Sequence, residues 1–307
     1  MNYTLHQLRI FLKVAELESI TKASEELHLT QPAVSIQLKK LQDQFSIPLT
    51  EVIGRQLYVT DFGKEIKLAA ERILNEVDAI TYKTLQYRDQ LAGRLKISVA
   101  STGKYVMPYF LSEFMRTHRG VDLIMDVTNK TQVIKSIENN EVDLSLVSVI
   151  PEQLDLERLQ LLKNKLYLIG GTILRKERTG PKSKIFKDYP LVFREPGSAT
   201  RKAMEDFIQA KKLSISKRIE LTSNEATKQA VIAGLGYSIM PLIGIKNELR
   251  NGDLEIIPFR GLPITTHWNI IWLKSKKLSP VASAFLEFIE KEKEKIISEH
   301  FDWYEKY

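Results

Sequence analysis

The chain has 307 residues, a formal net charge of +7 and a pI near 9.2. Its length exceeds that of a typical single domain, and its 43% hydrophobic and 27% charged residues exclude a disordered or collagen-like chain. It contains no cysteine, which excludes disulfides, a cysteine nucleophile and thiolate-bound metals. We therefore expect a soluble, globular protein with two or more folding units and no cofactor.

The start of the chain does not read as a targeting segment. Residues Met1–Arg9 include polar side chains and no apolar run long enough for a signal peptide. No later stretch approaches the roughly 20 apolar residues that a membrane span needs. The sequence therefore predicts a cytoplasmic protein that does not contact a membrane.

Three short helices are predicted at the beginning of the chain from apolar residues at helical spacing. The three sets are Leu8, Phe11, Leu12 and Ala15; Ile20, Ala23, Ser24 and Leu27; and Val34, Leu38 and Leu41. Thr21 and Thr30 are candidate N-caps of the second and third helices, and Pro32 falls in the first turn of the third. Residues 52–60, with a turn at Gly54, predict a small β-hairpin.

A single helical pattern then runs from Phe62 to Leu91. Its apolar residues recur in steps of three, four or seven, which is typical of a coiled-coil seam. Charged residues of both signs flank the seam, as on a solvated helix face. The pattern predicts pairing with the same helix of a second subunit, and packing inside one domain is the alternative.

Beyond Gly93, strand and helix patterns alternate, which predicts an α/β domain with a largely parallel sheet and helices on both faces. Strands are predicted at residues 95–100, 123–127, 144–149, 166–169 and 191–193. Helices are predicted at residues 105–116, 131–139, 199–210 and 225–233. The charged run Glu290–Lys295 is predicted to be the solvated surface of a helix.

The segment Ser19–Gln42 predicts two helices joined by a short turn, an arrangement that can place one helix in a DNA major groove. If the reading helix begins at Gln31, then Gln31, Ser35 and Lys39 share one polar face. Glutamine can pair with adenine, and serine and lysine can contact bases or phosphates. Arg55, at the hairpin tip, is a candidate contact to phosphate or to a minor groove. An ordinary amphipathic helix pair is the alternative.

Net charge does not locate this DNA-binding part. Lysine and arginine displace counterions from phosphates, so a basic chain is compatible with nucleic-acid binding. Residues 1–65, however, contain seven lysines and arginines against eight aspartates and glutamates. Only a local face can therefore provide the contacts.

The run LTQPAVSIQLKKLQ, residues 29–42, resembles the winged helix of LysR-type regulators, in which a Ser/Thr-Gln-Pro-Ala-Val-Ser run opens the recognition helix. The resemblance covers essentially the whole chain and adds Thr30 and Pro32 to the DNA-binding candidates. It implies a multidomain transcription regulator: an all-α winged helix-turn-helix domain at 1–61, a linker and dimerisation helix at 62–92, and an effector-binding domain at 93–307. Three residues depart from the family pattern in or near the wing: Ser46, Thr50 and Val52.

The resemblance further implies a two-lobed α/β effector domain similar to periplasmic solute-binding proteins, with a small molecule between the lobes. Lobe one would comprise about 94–163 and 267–300, and lobe two about 164–266. Helix starts that follow strands present free backbone N–H groups, which suit an anion. The candidate effector-binding residues are Ser101, Thr102, Lys130, Thr131, Ser198, Thr200, Arg201 and Asn224. The alternative for the hydroxyl and amide residues is an ordinary helix cap.

Two stretches, REPGSATR at 194–201 and NNEVDLSLV at 139–147, look most like the family branch that regulates carbon-fixation operons, whose members respond to phosphorylated metabolites. The resemblance also implies a homodimer through the linker helix, assembly into a homotetramer, and RNA polymerase as a partner.

Two other functions are less consistent with the sequence. For an enzyme, the five histidines have no metal-ligand spacing, and no HExxH or GxSxG motif occurs. A free-standing solute-binding protein would need a signal peptide and would not need the first 92 residues.

Overall fold

A computed structural model of the protein describes residues 2–54, 56–86, 91–177, 180–181 and 184–307. The chain divides into two compact units, Met1–Gly93 and Arg94–Tyr307. Within the described residues, none of the helices combines the length and apolar content that crossing a membrane requires. The segment and lobe boundaries predicted above stay predictions.

The first unit begins with the three predicted helices, α1 (Leu5–Leu17), α2 (Ile20–Glu26) and α3 (Gln31–Gln42). Thr30 caps α3 as predicted, because its side chain accepts a hydrogen bond from the Ala33 N–H. The predicted cap at Thr21 is wrong. Ser19 caps α2 instead by accepting from the Lys22 N–H, since the helix begins one residue before Thr21.

A hairpin and a long helix complete this unit. Strands β1 (Thr50–Ile53) and β2 (Gln56–Val59) pair antiparallel around Gly54, which has a φ of 58°. The hairpin confirms the prediction. Helix α4 (Asp61–Gln86) follows, and the Thr60 hydroxyl accepts from the Gly63 N–H near its start. The predicted helix extended further, but residues 87–90 lie outside the described chain.

The second unit contains a mixed sheet. Its strands are β3 (Ala92–Ala100), β4 (Gly120–Thr128), β5 (Leu144–Val147), β6 (Leu156–Gly171), β7 (Pro190–Arg194), β8 (Lys217–Leu221), β9 (Ser238–Pro241), β10 (Leu254–Ile257) and β11 (Ile264–Leu273). The main sheet has the order β10-β6-β11-β5-β3-β4, with β9 also paired with β6. Strands β7 and β8 form a separate parallel pair.

The prediction of a largely parallel sheet is wrong. Strands β3 and β5 are parallel, but β11 pairs antiparallel with β5 and β6, and β6 pairs antiparallel with β9 and β10. The long strands β6 and β11 run through both lobes. Because the chain leaves lobe one along β6 and returns along β11, these strands run in opposite directions. Their ladder changes register between His267 and Asn269.

The helices of the second unit are α5 (Met107–Thr117), α6 (Lys130–Glu138), α7 (Thr172–Glu177), α8 (Ile185–Asp188), α9 (Ala199–Ala210), α10 (Asn224–Ile232), α11 (Lys246–Asn251) and α12 (Pro280–Phe301). Short 3₁₀ helices occupy Ser101–Tyr105, Leu242–Gly244 and Asp302–Lys306. The four predicted helices are confirmed as α5, α6, α9 and α10. The charged run Glu290–Lys295 lies on α12 and is mostly exposed, as predicted.

Each lobe has its own apolar core. A cluster in lobe one includes Val133, Val147 and Ile271. A separate cluster in lobe two includes Phe193 and Tyr237. Two cores joined by two long strands allow the lobes to behave as separate bodies with a cleft between them.

Candidate DNA-reading face and effector cleft

The polar face of α3 is exposed in the way the spacing predicts. Gln31, Ser35 and Lys39 are all exposed, whereas Val34 and Leu41 on the opposite face are fully buried. Residues four apart on a helix lie above one another, so the three polar side chains form one row. Two further candidates, Thr30 and Pro32, are exposed at the start of the same helix.

Side-chain hydrogen bonds fix α3 to its neighbours. The Gln42 Oε1 accepts from both the N–H and the hydroxyl of Thr50, at 2.9 and 2.6 Å, which ties the end of α3 to the hairpin. The Gln7 side chain donates to Gln37 Oε1 at 3.2 Å, which ties α3 to α1. Thr50 is one of the family departures noted above, and here it supports the reading helix.

The hairpin tip presents apolar side chains to solvent. Val52 is 69% exposed and Ile53 is 60% exposed. The predicted contact residue Arg55 lies outside the described residues, so its role stays a prediction. A wing with two exposed apolar side chains can contact sugar edges or a groove wall, but only a cation such as Arg55 would add attraction to phosphate.

Arg194, at the end of β7, is the most informative residue of the cleft. It is only 3% exposed, and its Nε and Nη2 donate to the Glu195 carboxylate at 2.8 and 2.9 Å. Its Nη2 also reaches across to the Ser101 hydroxyl at 3.2 Å. Its Nη1 is buried and has no hydrogen-bond partner among the described residues. A buried unpaired donor costs about 1–3 kcal/mol, which a ligand oxygen would recover.

The start of α6 approaches the loop before α9. Gly197 has a φ of 87°, and a Cβ there would lie 2.6 Å from the Thr131 hydroxyl oxygen. Asn129 caps α6 by accepting from the Gln132 N–H at 3.1 Å, so Thr131 is not the cap. Burial lowers the pKa of the Lys130 ammonium; the Glu152 carboxylate partly offsets this effect, and nearby Lys202 adds to it. A further anion beside Lys130 would favour its charged form.

Arg201, the predicted anion partner, is already engaged. Its Nε donates to Glu205 at 3.0 Å, and its Nη1 lies 2.8 Å from a Glu220 carboxylate oxygen. The same Nη1 donates to the backbone oxygen of Arg194 at 3.0 Å. Arg201 therefore supports the position of Arg194. The sequence did not single out Arg194, because the segment REPGSATR contains two arginines and only their burial in the fold distinguishes them.

Three predicted hydroxyl residues lie at or near helix starts, Thr102 in the 3₁₀ helix Ser101–Tyr105 and Ser198 and Thr200 at the beginning of α9. Thr102 and Ser198 are buried, at 5% exposure each, and Thr200 is half-buried. Ser198 occupies the N-cap position of α9, but its side chain makes no capping hydrogen bond. The cap explanation therefore does not account for Ser198.

Asn224, the first residue of α10, is 2% exposed, and its amide forms no well-made hydrogen bond within the described chain. It is not the cap of α10, because Ser223 accepts from the Ala226 N–H at 3.0 Å. The Tyr105 hydroxyl of lobe one reaches Glu225 at 3.5 Å, and burial raises the pKa of Tyr105, which keeps its proton in place. Asn224 thus has no close hydrogen-bond partner among the described residues, although it lies near enough to the Tyr105 hydroxyl to lower its pKa slightly.

An exposed reading helix in one unit and a polar cleft between two α/β lobes in the other define a ligand-responsive DNA-binding regulator. Two family models match the chain: "Bacterial regulatory helix-turn-helix protein, lysR family" at residues 5–64, and "LysR substrate binding domain" at residues 88–294. The chain belongs to the LysR family of transcriptional regulators, as the motif predicted.

Curated relatives narrow the assignment. The chain is 37% identical over 290 residues to the HTH-type transcriptional activator CmpR of Synechocystis sp., covering 94% of this chain and 95% of that protein. It is 36% identical over 291 residues to a RuBisCO operon transcriptional regulator of Allochromatium vinosum, covering 94% and 96%. The resemblance to the carbon-fixation branch is confirmed, and these relatives are regulators and not enzymes.

Solved structures share the fold. The regulatory domain of Synechocystis CcmR, in complex with 2-PG, is 32% identical with a TM-score of 0.60, covering 66% of this chain and 97% of that one. Full-length CbnR complexed with its target DNA is 20% identical with a TM-score of 0.66, covering 94% and 99%. The predicted fold class, a winged helix-turn-helix followed by a two-lobed α/β effector domain, is confirmed.

Proposed function

We propose that this DNA-binding transcriptional regulator responds to a small anionic metabolite held by Arg194, Ser101 and Thr131. The buried Nη1 of Arg194, which has no hydrogen-bond partner within the described part of the chain, carries the proposal. Charge-assisted hydrogen bonds from arginine to carboxylate or phosphate are the strongest that a protein offers an anion. The 2-PG complex of the CcmR regulatory domain supports an anion of this kind.

The remaining cleft residues would complete the site. Lys130 and the start of α6 add positive charge, and Asn224 offers both a donor and an acceptor. Thr102, Ser198 and Thr200 line the walls, and Arg201 holds Arg194 in place. Because Ser101 and Arg194 belong to different lobes, an anion that binds both favours the closed arrangement.

On the DNA side, we propose that Gln31 and Ser35 read bases, and that Thr30, Pro32, Lys39 and Arg55 position the unit on the backbone. Two copies of the reading helix would be held together through α4. Ile73 and Ile80 support this. They belong to the apolar seam of α4, yet they are 39% and 65% exposed in a single subunit, so a second α4 could cover them. We further propose a homotetramer and a contact with RNA polymerase, as the family resemblance implies.

Calorimetric titration with 2-phosphoglycolate tests the effector site. Arg194→Ala should weaken binding by about 10-fold or more, since a hydrogen bond to a charged group contributes about 1.5–3 kcal/mol. Operator affinity without ligand should stay within a factor of about two. Arg116→Ala, an exposed arginine on α5, is the matched control. Because Arg194→Ala leaves Glu195 unpaired, Ser101→Ala provides a milder second variant. Unchanged affinity in both variants would contradict the proposed site.

A further inference from the structure

Residues 302–307, here called the strap, follow α12 and lie beyond residue 294, where the family model ends. Helix α12 packs on α5 of lobe one. The Phe285 and Phe114 rings lie 5.0 Å apart, and the Phe301 ring lies 5.2 Å from Tyr109. The strap therefore starts from a position fixed on lobe one.

The strap then contacts the lobe-two half of β6. Tyr304 is only 2% exposed, and its hydroxyl accepts from the Lys165 N–H at 2.8 Å. The Lys165 ammonium donates to the Tyr304 backbone oxygen at 3.2 Å and pairs with Glu305 at 3.3 Å. The Tyr167 hydroxyl donates to the backbone oxygen of Tyr307. Tyr167 itself pairs with Met240 of β9, inside lobe two.

A second group of contacts joins the strap to α11 and β10. The Lys246 ammonium lies 4.8 Å from the centre of the Trp303 ring, at cation–π distance. Tyr307 lines a small pocket with Leu249, Leu254 and Ile256. The strap thus begins on lobe one and ends on lobe two.

Without the strap, the chain connects the lobes along β6 and β11, whose ladder shifts register between His267 and Asn269. A hinge is a short stretch of residues that absorbs the change in backbone angles, and we take this interruption of the ladder as the hinge. Two neighbouring strands can bend about one axis. A connection attached elsewhere on both lobes restricts that bending.

We propose that the strap is an additional connection between the lobes that limits their opening and thereby sets effector affinity. The link to effector affinity rests on the proposed function, whereas the limit on opening does not. A ligand that binds the closed form binds less tightly when that form is less populated. Loss of the strap should therefore widen the range of lobe positions and weaken effector binding.

Interlobe distances measure the proposal directly, and the cysteine-free chain permits specific labelling. Glu138→Cys on α6 and Gln209→Cys on α9 are exposed positions, one on each lobe. Spin labels are attached at both sites of full-length chains, which are then diluted with unlabelled subunits. Double electron–electron resonance gives the distribution of distances between the two labels. Deletion of 302–307 should broaden the distribution and shift it to longer distances, and Lys306→Ala, an exposed strap residue, should not.

Point variants guard against simple loss of folding. Tyr304→Phe keeps the ring and removes only the oxygen that accepts from Lys165, so it should broaden the distribution less than the deletion. Trp303→Ala removes the contact with Lys246 and should fall between. If the deletion and both point variants give the parental distribution, the strap does not restrain the lobes.

Titration with 2-phosphoglycolate separates this proposal from the effector site. The strap deletion should weaken binding by about 3- to 10-fold, in line with a smaller closed population. Arg194→Ala should weaken binding more than the strap deletion does, and it should broaden the distance distribution less, because it removes a single hydrogen bond between the lobes. Broadened distances with unchanged affinity would overturn the link to affinity, and unchanged distances would overturn the strap, whatever the outcome for Arg194.

Discussion

The proposed DNA-reading face lies on a single helix, with Gln31 and Ser35 exposed to solvent, whereas the proposed effector cleft draws on Ser101, Thr131 and Arg194 from separate segments of two lobes. The first surface is complete before its partner arrives, and it needs only rigid presentation. The second contains a buried donor, Arg194 Nη1, that has no hydrogen-bond partner among the described residues, and we propose that the ligand supplies one. Single substitutions should therefore weaken DNA recognition one contact at a time, whereas effector affinity should also depend on the relative position of the two lobes.

The largest expected effect is on operator affinity alone and leaves effector affinity unchanged. Replacing Ile73 and Val77 on α4 by aspartate places charges in the proposed helix pair, at a cost of several kcal/mol. We expect monomers in sedimentation and operator affinity lower by about 100-fold or more, because two linked reading helices bind far better than one. Effector affinity should hardly change.

Glu76→Ala, on the exposed side of the same helix, is the control and should remain dimeric. A stable dimer of the double aspartate variant would refute pairing through α4.

The next effect concerns the reading face itself. Gln31→Ala and Ser35→Ala should each reduce discrimination between operator and random duplex by about 1–3 kcal/mol, the contribution of a good base contact. Competition binding at fixed salt measures this. Lys39→Ala should instead weaken both duplexes alike and reduce the salt slope by about one. If Gln31→Ala and Ser35→Ala discriminate between operator and random duplex as well as the parental protein does, then α3 is not the reading helix.

Arg201→Ala sharpens the description of the cleft. Its partners Glu205 and Glu220 are more than a third exposed, so these ion pairs contribute little. The hydrogen bond to the Arg194 backbone oxygen remains, and its loss should weaken effector binding by about 1 kcal/mol. The loss for Arg194→Ala should be clearly larger in the same calorimetric series. An equal or greater loss for Arg201→Ala would mean that Arg201 binds the effector itself, as the sequence alone suggested.

The smallest effect tests the support of the reading unit. Ser19→Ala removes the cap of α2 and should lower the free energy of unfolding by about 1 kcal/mol. Thr21→Ala, two residues further, should change it by less than about 0.5 kcal/mol. Urea denaturation compares the two. The reverse order would restore the cap predicted at Thr21.

What could be predicted from the sequence follows the same division. The three helices of the first unit were found because each has a continuous apolar stripe that buries one face in a common core. The cap of α2 was misplaced because Ser19 and Thr21 are both good cap residues, and only the exact start of the helix decides between them. The exposure of Gln31, Ser35 and Lys39 followed directly, since exposure on a short helix is set by spacing.

The second unit was harder because its decisive contacts are distant in sequence. The first half of β6 mixes charged and apolar residues, so its pairing with β11 about a hundred residues later had no local signal, and the antiparallel return was missed. Arg194 and Arg201 are seven residues apart in one motif. Only tertiary packing buries the first and gives carboxylate partners to the second.

The close approach of Gly197 to Thr131 has a consequence for genetics. Any side chain at position 197 would meet the opposite wall within 2.6 Å and would also have to adopt a φ of 87°, which only glycine tolerates easily. A substitution there acts as a wedge between the lobes. Strains can be selected in which the target genes no longer respond to the metabolite. We expect such selections to yield substitutions at position 197 in a protein that still folds and still binds its operator.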